Sequence, residues 1–435
     1  MFGLPNLRFW CYSFVFFCLP FLGVNQISSS TIQHFQYLCS DKFAGRGYIN
    51  NGIYHAQNYI VQYLKDSLGL QAGLHNQSFT QNFSHPVNTF PKNIEIVLKG
   101  KKQKKLIAGK DFIVHPCSNS YNAKAKVYYL DTLHLKSKSE LTKILSNLPK
   151  KSVLICKSGV TNNKTFYKEI TQYYQQNLSN QCVVFLQTKK LTWGVLPMQF
   201  NNCFLDVLED KFDATIQKIE IHVEANFVNQ YPVNNIVASN RTILGNDSCV
   251  VVCAHYDHLG KMGQNTTFYG ANDNASGVAM LLDLAKKFKG MDTKYPIVFI
   301  AFAGEELGLL GSKFFVENLD QSLKIKLVIN LDMVSAGEKG LTVANANHNT
   351  TVFDELNIIN AQNNYLPQLV AKNGSANSDH YSFHEAGFPA IFIYALGNYA
   401  HYHDIEDKYD NLNLQFYPKT LNLLSDFILT INGGN

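Results

Sequence analysis

Five groups of histidine, aspartate and glutamate residues in the second half of the chain could do metal chemistry. They contain no cysteine, and each lies where an apolar run of residues ends or begins. Histidine and carboxylate ligands together are typical of a catalytic zinc site with one open position, and a carboxylate can bridge two ions about 3.5 to 4 Å apart. The residue types therefore predict a catalytic metal site. The five groups are His255-Tyr-Asp257-His258, Asp273 within Gly270–Gly277, Glu305-Glu306, Asp332 and His401-Tyr-His403.

The spacing within these groups suggests how the side chains are divided. His255 and Asp257 are two residues apart at a strand end and share a face, so Asp257 could accept the hydrogen bond of the imidazole's other nitrogen. Glu305 and Glu306 are adjacent and cannot point the same way in extended backbone, which divides them into a metal ligand and a group facing the attacking water. Taken singly, such residues are more often structural, as when an aspartate caps a helix. Five groups at strand ends favour the metal site.

The elements that must position these groups predict an α/β fold. From residue 219 onward, long apolar strands alternate with helices, which indicates a mixed, mostly parallel sheet covered by helices on both faces. In such sheets the ligand crevice lies outside the carboxyl ends of the strands. We therefore expect all five groups to converge there. The strand-like runs are 250–254, 297–303, 327–331 and 390–396, and the helix after Gly277 is 278–288.

The first half of the chain predicts a different organisation. Residues 51–68 have apolar positions at helical spacing, whereas residues 110–213 contain short strand-like runs separated by polar loops and no cluster of histidine and acidic residues. This pattern indicates a β-rich insert at 110–213. It divides the mature chain into an N-terminal part of the catalytic domain at 31–109, the insert, and the main catalytic part at 214–435.

Residues 1–30 are predicted to be a secretory signal peptide, with a retained N-terminal anchor as the alternative. Arg8 precedes an apolar run from Phe9 to Val24 that Pro20 interrupts, shorter than the roughly 20 residues needed to cross a bilayer. We therefore expect a secreted, periplasmic or extracytoplasmic location, with membrane contact only through this segment. Export would place the seven cysteines beyond it in an oxidising compartment, and because seven is odd, at least one is unpaired or pairs between chains.

Several strings of residues resemble the motifs of the co-catalytic zinc aminopeptidase family, which includes bacterial leucyl aminopeptidases, glutamate carboxypeptidase, glutaminyl cyclases and the transferrin receptor. The resemblance covers roughly residues 219–424, and residues 38–47 resemble an early segment of the family. The insert resembles a protease-associated domain by position and strand-like composition alone. The strings are His-Tyr-Asp-His-Leu-Gly (255–260), Gly-Ala-Asn-Asp-Asn-Ala-Ser-Gly (270–277), Ala-Gly-Glu-Glu-Leu-Gly-Leu-Leu-Gly-Ser (303–312), Asn-Leu-Asp-Met (330–333), Ser-Asp-His-Tyr-Ser-Phe (378–383) and Tyr-His (402–403).

The resemblance implies a zinc-dependent exopeptidase fold with two Zn²⁺ ions per chain. Carried over to this sequence, Asp273 bridges both ions. His255 and Asp332 then complete one site, and Glu306 and His403 complete the other.

The resemblance also assigns catalytic roles. It makes Glu305 the general base that takes a proton from the zinc-bound water and passes it to the leaving amine, and Asp257 the carboxylate behind a zinc ligand. Asp379 and His380 lie in a family motif and receive a supporting role only. The remaining histidines of the motifs, His258, His384 and His401, receive none.

The family contains several activities, of which we expect an aminopeptidase acting on peptides. Carboxypeptidase relatives hold the substrate's terminal carboxylate with arginines, and residues 214–435 contain only Arg241. A carboxypeptidase or dipeptidase, then a glutaminyl cyclase, then a non-catalytic homologue are the alternatives. The Asn272-Asp273-Asn274 string favours a peptidase over a cyclase.

Charge composition says little about partners. The 38 basic residues exceed the 33 acidic ones by five, but only three are arginine (Arg8, Arg46 and Arg241), the residue that nucleic-acid readers use for bidentate base contacts. We expect no nucleic-acid partner. The sequence makes no prediction of oligomeric state.

Overall fold

The structure is a computed structural model that describes residues 26–73, 78–135, 137–149, 152–176, 180–213, 215–243, 248–319 and 324–434. Most of the predicted leader, residues 1–25, therefore lies outside the described residues. Within the described ranges, no helix combines the length and the apolar character needed to cross a membrane.

The described residues form two large sheets, a small hairpin and ten α-helices. The strands are β1 (Gln71–Ala72), β2 (Thr80–Thr89), β3 (Glu95–Lys99), β4 (Gln103–Lys105), β5 (Phe112–Val114), β6 (Tyr121–Leu130), β7 (Ser152–Cys156), β8 (Cys182–Gln187), β9 (Cys203–Leu208), β10 (Lys218–Val223), β11 (Asn226–Ser239), β12 (Ser248–His255), β13 (Gly260–Met262), β14 (Thr266–Phe268), β15 (Ile297–Phe302), β16 (Lys324–Leu331), β17 (Leu341–Ala344), β18 (Leu369–Lys372) and β19 (Ala390–Ala395). The helices are α1 (Ser29–Leu38), α2 (Gly52–Gln62), α3 (Lys138–Ser146), α4 (Ser158–Thr161), α5 (Lys164–Gln176), α6 (Gly277–Phe288), α7 (Leu310–Glu317), α8 (Thr350–Asn363), α9 (His380–Glu385) and α10 (Tyr417–Ile431).

The first sheet is mixed and carries the chemistry-bearing strands at its centre. Its order is β1-β11-β15-β12-β16-β19-β17-β18, with β2 also paired to β11. Strands β15, β12, β16 and β19 are parallel, while β11 and β17 run antiparallel to their neighbours β15 and β19. The central strands are almost wholly apolar and buried, because a parallel sheet is covered on both faces. The expected fold class is confirmed.

The chain changes direction across this sheet at β12. After β12 it crosses to β15 on one side and then to β16 on the other, so β12 lies between the two strands that follow it. Such a reversal opens a crevice beyond the carboxyl ends of the strands. Helix α6 packs on β12, β15 and β16, whereas α9 packs on β16 and β19 with Phe383 in the apolar cluster of the opposite face. Helices α6 and α9 therefore cover opposite faces of the sheet and leave its carboxyl edge open.

The second sheet begins earlier and ends later than the segment predicted as an insert. Its order is β4-β3-β10-β6-β7-β8-β9-β5, so it takes strands from residues 95–105 and 218–223 as well as from 110–213. It also has its own helical layer of α3, α4 and α5 around a separate apolar cluster. The division at residues 110 and 213 stays a prediction, as does the likeness to a protease-associated domain.

The other face of the second sheet joins the core of the first. Residues of both sheets belong to one continuous apolar cluster, including Ile155, Leu205 and Val252. Trp193 lies at the junction, with its ring centroid 4.8 Å from that of Phe268. The second sheet is thus packed against the first and not tethered to it by a linker.

No disulfide joins the seven cysteines within the described residues, and six of them are buried. Cys249 and Cys253 are fully buried in β12, as expected of small apolar side chains in a central strand. The described residues therefore owe their packing to the apolar cores and not to disulfides.

A buried carboxyl group on α6 gives a stability prediction. Asp283 accepts hydrogen bonds from Thr31 Oγ1 at 2.7 Å and from the Tyr417 hydroxyl at 3.0 Å. Burial raises the pKa of Asp283, and these two hydrogen bonds only partly oppose the effect. A carboxyl whose folded-state pKa is raised loses stability as the pH rises from its unfolded pKa towards its folded one. We expect Asp283→Asn to raise the melting temperature by roughly 1 to 4 °C at about pH 7.5 and to change it little at about pH 3.5.

The matched control is Asp426→Asn on α10, which removes a carboxylate that accepts a 2.6 Å hydrogen bond from Tyr365. This variant should not gain stability at the higher pH. Melting curves of both variants at the two pH values make the comparison. An Asp283→Asn protein that is less stable than the wild type at both would contradict the prediction.

Candidate metal centre

The predicted residues converge at the carboxyl edge of the first sheet. His255 is the last residue of β12, Glu305 and Glu306 follow β15, Asp332 follows β16, and His403 lies beyond β19. Asp273 reaches the same point from the turn 271–276 that precedes α6. Ligand atoms of His255, Asp273 and Glu306 lie within 4.8 Å of one another, as do those of His255, Glu305 and Asp332.

The carboxylate of Asp273 faces two different imidazoles. Its Oδ1 atom lies 3.4 Å from Nε2 of His255, and its Oδ2 atom lies 3.1 Å from Nε2 of His403. Two further carboxylates complete the groups: Asp332 Oδ1 is 3.4 Å from His255 Nε2, and Glu306 Oε2 is 3.2 Å from His403 Nε2. The donor atoms thus form two sets that share Asp273.

These separations fit zinc. Zinc–ligand bonds of about 2.0 to 2.2 Å place two ligand atoms of a tetrahedral site about 3.3 to 3.5 Å apart, close to the distances in both sets. In addition, Asp332 Oδ1 is buried and has no hydrogen-bond partner among the described residues. A buried carboxylate oxygen without a partner is costly unless a cation meets it. Nitrogen and oxygen donors with no thiolate also match a catalytic zinc site.

In both His255 and His403, the ring nitrogen that points away from the carboxylates contacts a main-chain carbonyl oxygen. Nδ1 of His255 lies 3.1 Å from the carbonyl oxygen of Asp257, and Nδ1 of His403 lies 3.0 Å from the carbonyl oxygen of Trp193. A ring N–H that donates to a carbonyl leaves Nε2 as the lone-pair nitrogen that faces the carboxylates. The Asp257 carboxylate, which the sequence suggested for this bond, is 3.9 Å from His255 Nδ1. The carbonyl of the same residue makes the contact instead.

The carboxylates are also held from behind. Glu306 Oε1 pairs with Nδ1 of His258 at 2.7 Å, and Asp332 Oδ2 accepts a 2.9 Å hydrogen bond from the Ser378 hydroxyl. The main-chain N–H of Asp273 donates to Asp407 Oδ2 at 3.1 Å. The side chains of His255, His403, Glu306 and Asp332 thus each have a second contact that orients them, and Asp273 is held through its main chain, the usual arrangement around a metal site.

The two adjacent glutamates diverge, as expected, but on a turn and not in extended backbone. Glu306 faces His403 and His258, while Glu305 Oε2 lies 4.0 Å from His255 Nε2. The Asp257 carboxylate accepts hydrogen bonds from the main-chain N–H of Glu305 at 3.2 Å and the Tyr48 hydroxyl at 3.3 Å. Asp257 therefore contacts the turn that carries Glu305.

Crowding of buried carboxylates shifts the pKa values of the site. Burial together with Glu306 raises the pKa of Glu305 well above its usual range, against the pull of His255. Burial would also raise the pKa of Glu306, but His403 and His258 lower it to about 2. Burial would lower the pKa of His403, but Glu306 and Asp273 raise it to about 11. The imidazole of His403 and the carboxylates around it thus favour each other's charged forms.

Not every histidine and aspartate of the sequence motifs reaches the centre. His401 is partly exposed and lies 3.5 Å from Asp404, and the ring of His384 lies 5.1 Å from that of His348. Asp379 is fully buried, and burial raises its pKa to about 7 against the effect of His255. Its supporting role stays a prediction.

Sequence reasoning missed several residues that hold the ligands. His258 and Ser378 lie inside the quoted motifs, so their polar character next to the ligands was a usable signal. Trp193 and Asp407 gave no signal, because Trp193 acts through its main-chain carbonyl and Asp407 binds main-chain N–H groups of Asn272 and Asp273. Contacts of this kind depend on the fold and not on local sequence.

Comparison with known proteins shows which family model and which proteins this chain is similar to. Residues 235–428 match the family model described as Peptidase family M28. The chain is 34% identical over 184 residues to Aminopeptidase YwaD of Bacillus subtilis (strain 168), covering 39% of this chain and 37% of that protein. It is 33% identical over 182 residues to a probable leucine aminopeptidase of Arthroderma otae, covering 38% and 48%. The chain thus spans less than half the length of these curated relatives.

Solved structures match over almost the whole chain. A zinc aminopeptidase from Bacillus subtilis superposes with a TM-score of 0.66 at 19% identity, covering 92% of this chain and 94% of that one. An aminopeptidase from Aneurinibacillus sp. strain AM-1 gives a TM-score of 0.60 at 18% identity, covering 92% and 93%. At these identities the likeness concerns the fold, and it includes the second sheet as well as the first.

The raised pKa of His403 leads to a prediction about metal binding. A zinc ligand must be a neutral imidazole, whereas a pKa of about 11 keeps His403 protonated at neutral pH in the metal-free protein. Zinc binding should therefore release at least one proton, and zinc affinity should rise with pH. Calorimetric titration of the metal-free protein with zinc, in two buffers of different ionisation enthalpy at the same pH, measures the proton number. Binding heats that do not depend on the buffer would contradict the predicted release of a proton.

Proposed function

We propose that this chain, whose residues 235–428 belong to peptidase family M28, is a zinc-dependent exopeptidase, and specifically an aminopeptidase that removes N-terminal residues from peptides. The single observation that carries the proposal is the Asp273 carboxylate, which presents one oxygen to each of two histidine and carboxylate sets. The aminopeptidase names of the relatives support the choice of reaction.

The donor geometry supports two zinc ions per chain. His255, Asp332 and Oδ1 of Asp273 would hold one ion, and Glu306, His403 and Oδ2 of Asp273 would hold the other. When bound, zinc supplies Lewis-acid polarisation of a carbonyl and a water of lowered pKa.

Glu305 is the proposed proton carrier. Its side chain is about one-eighth exposed and reaches the edge of the site 4.0 Å from His255. The raised pKa of Glu305 suits a carboxylate that takes a proton from the attacking water and gives it to the leaving amine. Asp257 holds the turn through the main-chain N–H of Glu305, so its role is to position the base.

The mouth of the site is aromatic on one side. The ring of Tyr402 stacks on His403 with 3.8 Å between centroids and is half exposed. The loop that contains Trp193 lies behind His403, so the second sheet helps to shape the same wall. We propose that this wall contacts the substrate's side chain.

The positions of the arginines favour an aminopeptidase over a carboxypeptidase. Among the described residues the arginines are Arg46 and Arg241, and both bind main-chain carbonyls. Arg241 follows β11 beside the start of β15, at the edge opposite Glu305. Neither arginine is placed to receive a substrate carboxylate. Export through the segment at residues 1–30 remains part of the proposal.

The roles of the two glutamates can be separated by substitution. Glu305→Gln removes the proton carrier but no proposed ligand, so it should keep both zinc ions and lose between about a hundredfold and ten thousandfold in kcat. Glu306→Gln removes a ligand and its contact with His258, so it should lose zinc. Metal content by mass spectrometry and steady-state kinetics measure the two effects, with Glu220→Gln on the second sheet as the control. If Glu306→Gln stayed active and Glu305→Gln bound no zinc, the roles assigned to the two glutamates would have to be exchanged.

A substrate panel tests the reaction itself. The panel contains aminoacyl amides, the same compounds with a blocked amine, C-terminally extended peptides and an N-terminal glutamine peptide, each assayed with and without a chelator. We expect hydrolysis only with a free N-terminal amine, and loss of activity with chelator that added zinc restores. Preferential release of C-terminal residues would indicate a carboxypeptidase, and pyroglutamate formation a cyclase. Absence of bound zinc and of any turnover after zinc addition would indicate a binding protein.

A further inference from the structure

Arg46 is a fully buried arginine whose guanidinium binds only main-chain carbonyl groups among the described residues. Its relative exposure is 0%, and it lies on the turn 41–46 that leads into α2. The hydrogen bonds are Nε to Tyr256 O at 2.9 Å, one terminal nitrogen to Leu38 O at 3.2 Å and Tyr269 O at 2.7 Å, and the other to Gly270 O at 2.8 Å and Asp273 O at 3.2 Å. All five N–H donors of the side chain are used.

Four of these five carbonyls belong to the metal centre. Tyr256 lies between His255 and Asp257, and the carbonyls at 269, 270 and 273 belong to the segment that ends in the shared carboxylate of Asp273. The side chain of Arg46 thus connects the residue that follows β12 with the segment that contains Asp273. The fifth carbonyl, of Leu38, ties both to the end of α1.

Nearby carboxylates partly offset the cost of burying the charge of Arg46. None of its nitrogen atoms forms an ion pair with a described residue, and burial lowers the pKa of Arg46, while acidic groups that include Asp407, Asp273 and Asp257 partly oppose that effect. Carbonyl dipoles supply the direct hydrogen bonds, and the carboxylates of the site supply the longer-range attraction. The arginine therefore adds a fixed positive charge behind a centre crowded with carboxylates.

The backbone around Arg46 adopts a costly conformation to place this side chain. Ala44, Gly45 and Arg46 are all left-handed, with φ values of 45°, 63° and 51°. The left-handed conformation is unfavourable for residues other than glycine, because Cβ comes too close to the following carbonyl oxygen. Gly45 and Gly47 also have no room for a side chain, since a Cβ would lie 2.1 Å from Phe268 O and 2.3 Å from Gly260 Cα respectively. The segment is thus pressed against the paired ends of the small hairpin, Gly260 of β13 and Phe268 of β14.

We propose that Arg46 is a positioning residue for the metal centre, which holds the end of β12 and the Asp273 segment in their metal-binding arrangement before zinc binds. The inference rests on the proposed two-zinc function and adds a requirement for a segment that lies outside the matched residues 235–428. Without the guanidinium, all five carbonyls lose its N–H donors, although the main-chain N–H of Ala275 still donates to Gly270 O, and the main-chain carbonyl of Asp273 loses its contact with Arg46. Zinc must then order this segment at the expense of its binding free energy.

The test uses Arg46→Met, which keeps the length of the side chain but has neither charge nor donors. Arg241→Met is the matched control, because Arg241 also binds main-chain carbonyls, those of Thr242, Thr293 and Lys294, at the opposite edge of the sheet. Zinc affinity is measured on the metal-free full-length proteins by competition with a chromogenic chelator, and the stability of the same metal-free proteins by thermal unfolding. Neither measurement requires enzyme activity.

We expect zinc binding by Arg46→Met to weaken by roughly ten- to a hundredfold, the loss typical of residues that orient metal ligands, with Arg241→Met within about twofold of the wild type. Arg46→Lys keeps the charge but has a single ammonium group in place of the guanidinium, so its zinc affinity should lie between those of Arg46→Met and the wild type. If Arg46→Met fails to fold, Arg46→Lys decides. A variant that lowers the melting temperature but binds zinc as tightly as the wild type would show a merely structural role and overturn the proposal. A wild-type protein that binds no zinc would instead overturn the proposed function.

Discussion

The concentration of buried carboxylates at one edge of the first sheet is the constraint on which the rest of the structure depends. Asp257, Asp273, Glu305, Glu306 and Asp332 converge on a few ångströms of largely water-excluded space. Like charges at such distances repel strongly in a low-dielectric interior, so this arrangement is stable only with cations or protons among them. The pKa values of His255 and His403 are raised by these carboxylates, and burial together with the neighbouring carboxylates raises that of Glu305.

The topology of the sheet explains how five acidic side chains can lie close together in a stable domain. They come from the ends of the three strands β12, β15 and β16 and from the turn before α6, so the backbone of each is fixed by an apolar strand or helix several residues long. The burial free energy of those strands offsets the electrostatic cost at their ends. The reversal of chain direction at β12 provides the crevice. Of the residues of the site only His403 lies on a long loop, and it is held there by Trp193.

His403 shows why the second sheet belongs to the functional unit. It adopts a left-handed backbone conformation with φ of 54°, and its ring is oriented by the carbonyl oxygen of Trp193. The main-chain N–H of Trp193 donates in turn to the carbonyl oxygen of His403 at 2.9 Å. Trp193 is fixed by its indole N–H, which donates to Val114 O on β5 of the second sheet. The geometry of this ligand is therefore set jointly by the two sheets.

The sequence predicted most of the features that depend on where strands end. It predicted few of the features that depend on tertiary contacts. The apolar runs that lead into His255 and Asp332 predicted the parallel strands, because burial on both faces forces an unbroken apolar pattern, and they predicted that these two side chains lie close together at the carboxyl edge. The extent of the second sheet was not predictable, since β10 pairs with β3 and β6 through contacts more than ninety residues apart in sequence. The contacts of Asp407, of Trp193 and of Arg46 involve main-chain atoms, which have no residue identity to read. The metal centre thus combines ligands that a motif can reveal with supports that only the folded chain supplies.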